Sequence, residues 1–350
     1  MIKNYFKIAF RNFQRNKIFS VINVFGLSIG ISAALVIFLI VHYEFSFDKF
    51  EKDQNQIYRV VIDAKFNGSE GHSSGVQAPL SNAVQNEVTG VELTVPLMQF
   101  QGDATAKVSI AKKSEAAPLV FKKQDNIIFT NPQYFQLLNY HCIMGSQKTA
   151  LQEPFSVVLT QSRARQYFPN VSPQNIIGRQ VNYNNNLTAT VSGVVKDLDE
   201  QTVFKAAEFI SFATIAKTSL QKDFMMDVWN DWMAYSQLYI RLSKNTSPEK
   251  TEAQLQDLLN KYNKDANKDA ANSMAFHLQP LNDIHFDSKY ASIGGRIADK
   301  STLYGLLAIA AFLLLLGCIN FINLTTAQAS QRAKEIGIRK TMGSSRKNLV

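Results

Sequence analysis

Two long segments without charged side chains lie near the ends of the chain and dominate its hydrophobic pattern. The first covers the 26 residues 18–43, and the second covers the 31 residues 301–331. At about 1.5 Å per residue, a helix over either segment can cross the roughly 30 Å hydrocarbon core of a bilayer. The pattern therefore predicts membrane-spanning helices at residues 18–43 and 301–327, with a polar region at residues 44–300 between them.

A cleavable signal peptide is the alternative interpretation of the first segment. Its apolar stretch exceeds the length of about 7–15 residues that is usual in such peptides. Residues 44–48, which follow it, include two acidic and two aromatic side chains and offer no small-residue cleavage site. We therefore expect an uncleaved membrane anchor.

Positive charge is concentrated beside the two spans. Residues 1–17 carry five basic and no acidic side chains, and residues 332–350 carry six basic and one acidic, out of 37 and 28 in the whole chain. The region between them is nearly neutral and lacks the continuous basic surface that nucleic-acid binding needs, so we expect no nucleic-acid partner. Basic residues next to spans stay in the cytoplasm, which predicts two cytoplasmic termini and an extracytoplasmic region at residues 44–300.

The N-terminal residues 1–17 have the pattern of an amphipathic helix. Basic side chains recur at every fourth position along one side: Lys3, Lys7, Arg11 and Arg15. Aromatic and aliphatic side chains lie largely on the other sides, and such residues suit the headgroup region of a bilayer. We expect a cytoplasmic helix that lies on membrane lipid, with a plain topogenic charge cluster as the alternative.

Small and amide side chains recur within both spans. Gly26 and Gly30 form a G-x-x-x-G pair, which lets another helix approach closely. Gly317, Asn320 and Asn323 follow one another at helical spacing in the second span. Because amides in lipid need hydrogen-bond partners, we expect these five residues to pack helices together, including helices that this chain does not supply. Small-residue pairs are also common in any membrane helix, which is the plainer interpretation.

The polar region alternates between strand and helix patterns. Strand patterns occur at residues 57–62, 91–100, 105–111, 155–160, 181–183, 187–195, 235–242 and 274–281. Helices are predicted from Pro79 to Gly90, over residues 161–168, and after the capping residue Ser247. Three asparagines at residues 184–186 separate two of the strands and indicate a hairpin. The pattern predicts an α+β domain between two transmembrane helices.

Two motifs are candidates for catalysis or metal binding. Residues 71–75 match the G-x-S-x-G elbow of α/β-hydrolases, but a polar loop precedes them where a strand is needed. Asp283, His285 and Asp287 alternate, so on a strand all three would face one way and could bind a metal; a histidine hydrogen-bonded beside the sheet is the commoner outcome. The chain has no Walker A loop. We expect no catalytic residue, no metal and no cofactor.

The segment that follows the second span combines charge with a helical pattern. Ile336 and Lys340 share one side of a helix, Glu335 reaches Arg339 at i, i+4, and Gly343 is placed to end the helix. A short charged helix of this kind suits docking on a cytoplasmic partner. A basic flank that only stops membrane transfer is the alternative.

Several runs of sequence carry a resemblance to a known family. They are GCINFINL at residues 317–324, RAKEIGIRK at 332–340, QIYRV at 56–60, YF at 167–168 and PLNDIH at 280–285. The first two resemble the corresponding run of FtsX-like ABC transporter permeases of the MacB type. The others resemble recurrent points of the periplasmic core domain of that family, so the resemblance extends over essentially the whole chain.

The resemblance implies a non-catalytic permease component in the bacterial cytoplasmic (inner) membrane. Residues 44–300 would form a periplasmic core domain of two lobes, one α/β and one mainly β, the latter at about residues 130–235. ATP hydrolysis by a separate ABC-type ATPase would move this domain for export or envelope remodelling. The implied partners are the ATPase, permease helices from a second copy or a second half, and a periplasmic adaptor. Since such permeases continue with further spans, the chain resembles an N-terminal portion.

The resemblance also assigns ATPase coupling to the cytoplasmic segment 328–350. The residues concerned are Arg332, Lys334, Glu335, Ile336, Gly337, Arg339, Lys340 and Gly343. A membrane-anchored extracytoplasmic sensor domain is the alternative function, and an anchored enzyme ranks third. A receptor continues its second span as a heptad-patterned signalling helix, whereas Gly337 and Gly343 predict breaks. This difference favours the permease.

Overall fold

The chain divides into two units, one formed by Met1–Phe45 with Asp299–Val350 and the other by Ser46–Ala298. The computed structural model describes residues 17–50, 53–100, 105–111, 117–264, 266–267, 272–290 and 296–343. Apart from Lys17, the expected N-terminal amphipathic helix lies outside the described residues.

The helices and strands follow one another through both units. The helices are α1 Lys17–Phe45, α2 Leu80–Glu87, α3 Gln133–Leu137, α4 Gln161–Tyr167, α5 Pro173–Ile176, α6 Leu220–Asp223, α7 Pro248–Tyr262, α8 Leu281–Ile284 and α9 Lys300–Thr341. The strands are β1 Ile57–Phe66, β2 Ser69–Ser73, β3 Val91–Gln99, β4 Ala106–Ile110, β5 Leu119–Gln124, β6 Ile127–Thr130, β7 Cys142–Met144, β8 Ser156–Thr160, β9 Gln180–Tyr183, β10 Leu187–Val195, β11 Glu208–Ser211, β12 Ser236–Leu242 and β13 Ser273–Pro280. Single 3₁₀ turns lie at Gln54–Gln56 and Phe212–Lys217.

Helices α1 and α9 form the first unit and contain the two apolar segments. Ser20–Phe45 and Lys300–Ala327 are each long and apolar enough to cross a membrane, and most of their side chains are exposed on the described chain. Asp299 caps the start of α9, because its carboxylate accepts hydrogen bonds from the Thr302 N–H at 2.6 Å and from the hydroxyls of Ser301 and Thr302. These bonds lower the pKa of Asp299 to about 2.

Helix α9 continues past the apolar segment without interruption to Thr341, so the expected break at Gly337 is wrong. A glycine inside a helix costs only about 1 kcal/mol, and strong helix formers surround this one. At Gly343 the backbone does leave the helix, with a φ of +87° and its N–H bonded to the Lys340 carbonyl at 3.2 Å. A left-handed glycine of this kind is the usual helix terminator.

One mixed sheet of thirteen strands runs through the second unit. Its order is β13-β1-β12-β3-β6-β11-β8-β10-β9-β4-β5, with β2 paired to β1 and β7 paired to β10. The pairs β8–β10 and β6–β11 are parallel, and the other neighbours are antiparallel. The predicted α+β class is confirmed. Strands β4 and β5 precede residues 130–235 in the chain but lie at the β9 end of the sheet, beside the expected mainly β lobe.

Helices α2 and α7 cover the half of the sheet that contains β1, β12 and β13. Leu80 and Val84 of α2 and Leu255 and Leu259 of α7 are fully buried in this core. Their spacing of three or four residues is the apolar stripe that the sequence predicts. Helix α7 begins as predicted, with the Ser247 hydroxyl accepting from the N–H of the third helical residue at 3.2 Å.

Aromatic packing dominates the core around α3. Tyr134, Phe135, Tyr140 and Phe209 are all at most 1% exposed, and their ring centroids lie 5.0–6.0 Å apart. Beyond this cluster, the predicted hairpin joins β9 to β10, where two asparagines take the left-handed conformation that a tight turn needs.

Candidate functional site

The small residues of the two apolar helices face each other. A Cβ added at Gly26 would lie 3.0 Å from the Asn320 amide nitrogen, and one at Gly30 would lie 3.3 Å from the Leu313 carbonyl oxygen. A Cβ at Gly317 would meet a side chain of α1 at 3.5 Å. The structure thus brings four of the five expected packing residues to the contact between α1 and α9.

The same helix pair leaves amide groups without partners. Asn323 is exposed, and within the described part of the chain its side chain makes no hydrogen bond. Asn23, which lies outside the predicted packing residues, is the reverse case: its side-chain oxygen is buried and accepts no hydrogen bond from any described residue. In hydrocarbon such groups cost free energy unless another helix satisfies them.

The last turns of α9 expose apolar side chains beyond the membrane-spanning stretch. Ile336 is 41% exposed, Ile338 61% and Met342 81%. Ile338 and Met342 are four residues apart and so lie on one side of the helix, a pair that the predicted spacing of Ile336 and Lys340 does not include. The backbone of α9 passes through Arg332, Lys334, Glu335, Gly337, Arg339 and Lys340. The side chains of Arg332, Glu335 and Arg339 lie outside the described atoms, so the expected Glu335–Arg339 pair stays a prediction.

The segment that leaves α1 is tied to the domain by Asp48. This residue is 1% exposed and takes a left-handed backbone conformation, with a φ of +56°. Its N–H donates to the Gln201 carbonyl at 2.9 Å, and its carboxylate accepts from the Thr202 hydroxyl at 2.5 Å and the Val203 N–H at 3.2 Å. Burial raises the pKa of Asp48 to about 6, although both hydrogen bonds to the carboxylate oppose the rise.

The segment that leads into α9 is tied to the same domain by His285. The Phe47 and His285 rings stack in parallel with centroids 3.7 Å apart, and the His285 carbonyl accepts from the Ala298 N–H at 2.9 Å. Burial lowers the pKa of His285, which favours its neutral form. We call Phe47, Asp48, His285 and Ala298 the root contacts. They were not foreseen, because Phe47 and Asp48 contact residues that are distant in the sequence.

The alternation of Asp283, His285 and Asp287 does not reflect a strand. Pro280 ends β13, and α8 follows, with Leu281 and Ile284 buried at a helical spacing of three residues. The three side chains therefore do not face one way, and among the described residues there is no group of three metal-ligating side chains. Asp287 instead accepts from the Gln279 amide at 3.0 Å.

The hydrolase-like motif is also absent as a structural elbow. Ser73 ends β2, an antiparallel neighbour of β1, and its hydroxyl bonds to the backbone of Gly75 at 3.0–3.1 Å. An elbow needs a strand before the serine and a helix directly after it. Residues 74–79 instead form an extended and turn segment that leads to α2.

A buried charge network lies in the β-rich half of the domain. Glu208 is fully buried, and its carboxylate accepts from the hydroxyls of Tyr167 at 2.5 Å and Tyr183 at 2.6 Å. The Arg163 guanidinium lies 3.4 Å away. Burial raises the pKa of Glu208, although Arg163 and both hydroxyls favour the ionised form. This network joins α4 to β9 and β11.

The chain matches the MacB-like periplasmic core domain family over residues 20–258. It is similar to the crystal structure of a domain from a Porphyromonas gingivalis protein described as a permease. That likeness has a TM-score of 0.54 and 17% sequence identity, and covers 74% of this chain and 99% of the other. The likeness shows a shared fold.

A second similar structure is the periplasmic region of MacB from Actinobacillus actinomycetemcomitans. Its TM-score is 0.43 and its sequence identity 14%, with 68% of this chain and 94% of the other covered. No curated protein sequence matches the chain significantly.

Proposed function

The chain belongs to the MacB-like periplasmic core domain family, and from this we propose that it is the permease component of an ABC transporter. In this proposal a separate ATPase hydrolyses ATP, and the helices transmit its movement to the domain Ser46–Ala298 for export or envelope remodelling. The observation that carries the proposal is the family match over residues 20–258, which joins the apolar helix α1 to the sheet domain.

The proposed topology places both termini in the cytoplasm and residues 44–300 in the periplasm of a cell with an inner membrane. Its support is the charge distribution, with five basic side chains before the first span and six after the second, against a nearly neutral middle. By the positive-inside rule, the two basic segments stay in the cytoplasm while the domain between the spans is translocated across the membrane.

The proposed assembly contains more helices than α1 and α9. The exposed amide of Asn323 supports this, because it lies within an apolar helix and bonds to no described residue. A second copy of the chain or a second half of a longer permease would supply a polar partner at Asn323. Membrane lipid covers the remaining apolar surface.

The proposed ATPase contact is the end of α9 between Arg332 and Gly343. Exposed Ile336, with the exposed pair Ile338 and Met342, supplies apolar anchors, and the neighbouring basic side chains suit an acidic rim on the partner. Gly343 ends the helix immediately after these residues, so the anchors lie on the last turns of a rigid element.

The root contacts provide the route by which helix movement would reach the domain. Asp48 lies three residues after the end of α1, and Ala298 lies two residues before the start of α9. Asp48 is hydrogen-bonded to residues 201–203, which are far away in sequence, and Ala298 is hydrogen-bonded to the nearby His285. A displacement of either connecting segment would therefore be transmitted to the domain and would not be absorbed by a flexible linker.

The test is co-purification of the ATPase with the full permease from native membranes. Ile336→Asp should reduce recovery of the ATPase more than Lys340→Ala, because loss of a central apolar anchor costs more than loss of a rim charge. Ile177→Asp makes the same change at another exposed isoleucine, in the domain, and is the matched control. Wild-type recovery with Ile336→Asp, at equal protein level and membrane insertion, would refute docking through this segment.

A further inference from the structure

A groove with a volume of about 480 Å³ lies on the domain where α2, β3 and the start of α3 meet. Its volume is in the range of sites that hold a small molecule or a short oligomer. None of its described lining residues takes part in the root contacts, the buried Glu208 network or helices α1 and α9. The proposed function therefore leaves this groove without a role.

Neutral polar side chains dominate the lining. Amides come from α2, α3 and the 148–152 loop, together with one aromatic ring: Asn82, Gln85, Gln133, Gln136, Gln152 and Phe212. Among the described lining residues, Lys148 is the one charged side chain, and no carboxylate is present. Such a lining does not select a strongly charged ligand, and it is too polar for a purely apolar one.

Most of these amides are free to bind something else. The side chains of Asn82, Gln85, Gln136 and Gln152 make no hydrogen bond to any other described residue. Ser81, at 6% exposed, also lines the groove, and its hydroxyl has no partner in the described part of the chain. Each amide offers two donors and an acceptor oxygen with two lone pairs.

The part of β3 beside the groove, which extends beyond the pairing of β3 with β6, is closed to a peptide strand. The Thr94 N–H of β3 donates to the Gln133 side-chain oxygen at 2.7 Å, and the Thr94 carbonyl accepts from the Asn131 amide at 2.8 Å. Pro96, the next residue facing this side, has no N–H to offer. Side chains thus occupy the backbone groups that a peptide would need for strand addition, so a ligand must bind through the groove side chains instead.

We propose that this groove binds a neutral oligosaccharide. Adjacent sugar hydroxyls both donate and accept hydrogen bonds, which matches amides that can do the same. The half-buried ring of Phe212 supplies the apolar surface on which the C–H face of a pyranose can pack. The inference requires only that the domain is extracytoplasmic and does not depend on ATPase coupling.

The experiment is isothermal titration calorimetry with the full chain in amine-oxide micelles, since glycoside detergents would themselves present sugar headgroups. The probes are chitotetraose, cellotetraose and maltotetraose, with a blocked neutral tetrapeptide, acetyl-tetraalanine amide, as the competing class. We expect saturable binding of at least one tetrasaccharide with a Kd below about 1 mM, and none of the tetrapeptide.

Variants connect the binding to the groove. Asn82→Ala combined with Gln85→Ala should raise the Kd about tenfold, because it removes two sets of neutral hydrogen bonds from exposed, unpartnered side chains. Asn86→Ala, at an exposed asparagine of the same helix that does not line the groove, should leave the Kd unchanged. Thermal unfolding followed by tryptophan fluorescence checks that each variant is folded.

Three outcomes would overturn the proposal. The first is that none of the three sugars gives a measurable heat of binding, and the second is that only the tetrapeptide binds. The third is that the Asn86→Ala control loses as much sugar affinity as the Asn82→Ala, Gln85→Ala double variant. ATPase recovery is not measured in this experiment, so its result is separate from that of the coupling proposal.

Discussion

Replacing Asp48 with asparagine should stabilise the domain at neutral pH. Asp48 is buried in a left-handed conformation, and its carboxylate accepts hydrogen bonds from Thr202 and Val203. An asparagine retains a side-chain oxygen for both donors and also tolerates a positive φ. It has no charge to bury, and its amide nitrogen replaces the second carboxylate oxygen, which has no hydrogen-bond partner among the described residues.

The magnitude follows from the pKa of Asp48, which burial raises from 3.8 to about 6. A raised carboxyl pKa means that the folded state binds the proton more tightly than the unfolded state. The stabilisation from the protonated form is complete below about pH 4 and is lost as the pH rises through about 6. A difference of about two pKa units corresponds to about 3 kcal/mol, which is the most that Asp48→Asn should gain at pH 7.5.

The assay is urea unfolding of the full chain in micelles between pH 4.0 and 7.5. Both tryptophans, Trp229 and Trp232, belong to the domain, so their fluorescence reports its unfolding even with the apolar helices present. The quantity compared is the difference in unfolding free energy between variant and wild type at each pH, in which groups that titrate identically cancel. Asp257→Asn changes an exposed carboxylate of α7 and is the matched control.

The expected difference for Asp48→Asn is near zero at pH 4 and reaches about 3 kcal/mol in favour of the variant above pH 7. A variant that is less stable than wild type at pH 7.5 would refute the reasoning. So would an offset that stays constant with pH, because it would show that Asp48 does not change its charge within a buried site.

Other perturbations test the remaining parts of the account. Glu208→Ala should destabilise the domain by about 3–5 kcal/mol, since it leaves the partner charge of Arg163 buried; urea unfolding would show this, and a loss under about 1 kcal/mol would contradict it. Gly26→Ile should lower the melting temperature of the helix pair, measured by circular dichroism, because a Cβ at this position already lies 3.0 Å from Asn320. Gly305→Ile should leave the melting temperature unchanged, because a Cβ there meets open space. In a Cys318→Ser background, Cys142 should react with a membrane-impermeant thiol reagent added from the periplasmic side. The reaction is run at alkaline pH, because burial raises the pKa of the Cys142 thiol. Labelling only in inside-out vesicles would contradict the proposed topology.

Local pattern was enough to predict most elements of the fold. The serine that caps α7, the proline at its first position and the asparagine turn before β10 act within a few residues, so their effects can be predicted from neighbouring positions. The order of strands was not predictable in this way. Strand β3 pairs with β12 and β6, and these pairings depend on tertiary packing rather than on any signal in β3 itself.

At Gly337 and at residues 283–287, one local sequence signal competed with another. Gly337 suggested a helix break, but a single glycine is a small penalty within a long helix of good helix formers. Asp283, His285 and Asp287 would face one way only on a strand, and the buried spacing of Leu281 and Ile284 is helical. In both cases the neighbouring residues decided the structure.

The candidate sites depend on contacts that sequence spacing does not reveal. Asp48 bonds to Thr202, which is 154 residues away, and Phe47 stacks on His285. The amide-lined groove likewise draws its walls from α2, β3, α3 and the 148–152 loop. By contrast, the contact between Gly26 and Asn320 is a type that membrane-helix patterns do suggest, because small residues and amides mark close helix approach.

The central claim, that a separate ATPase acts on this chain through the end of α9, is tested most directly by photo-cross-linking in native membranes. A benzoylphenylalanine placed at residue 336 in the otherwise intact permease should, on illumination, form an adduct with a protein that carries a Walker A sequence. The same probe at exposed residue 177 in the domain should form no such adduct. An ATPase adduct from residue 177, or none from residues 336, 338 and 342, would contradict the account.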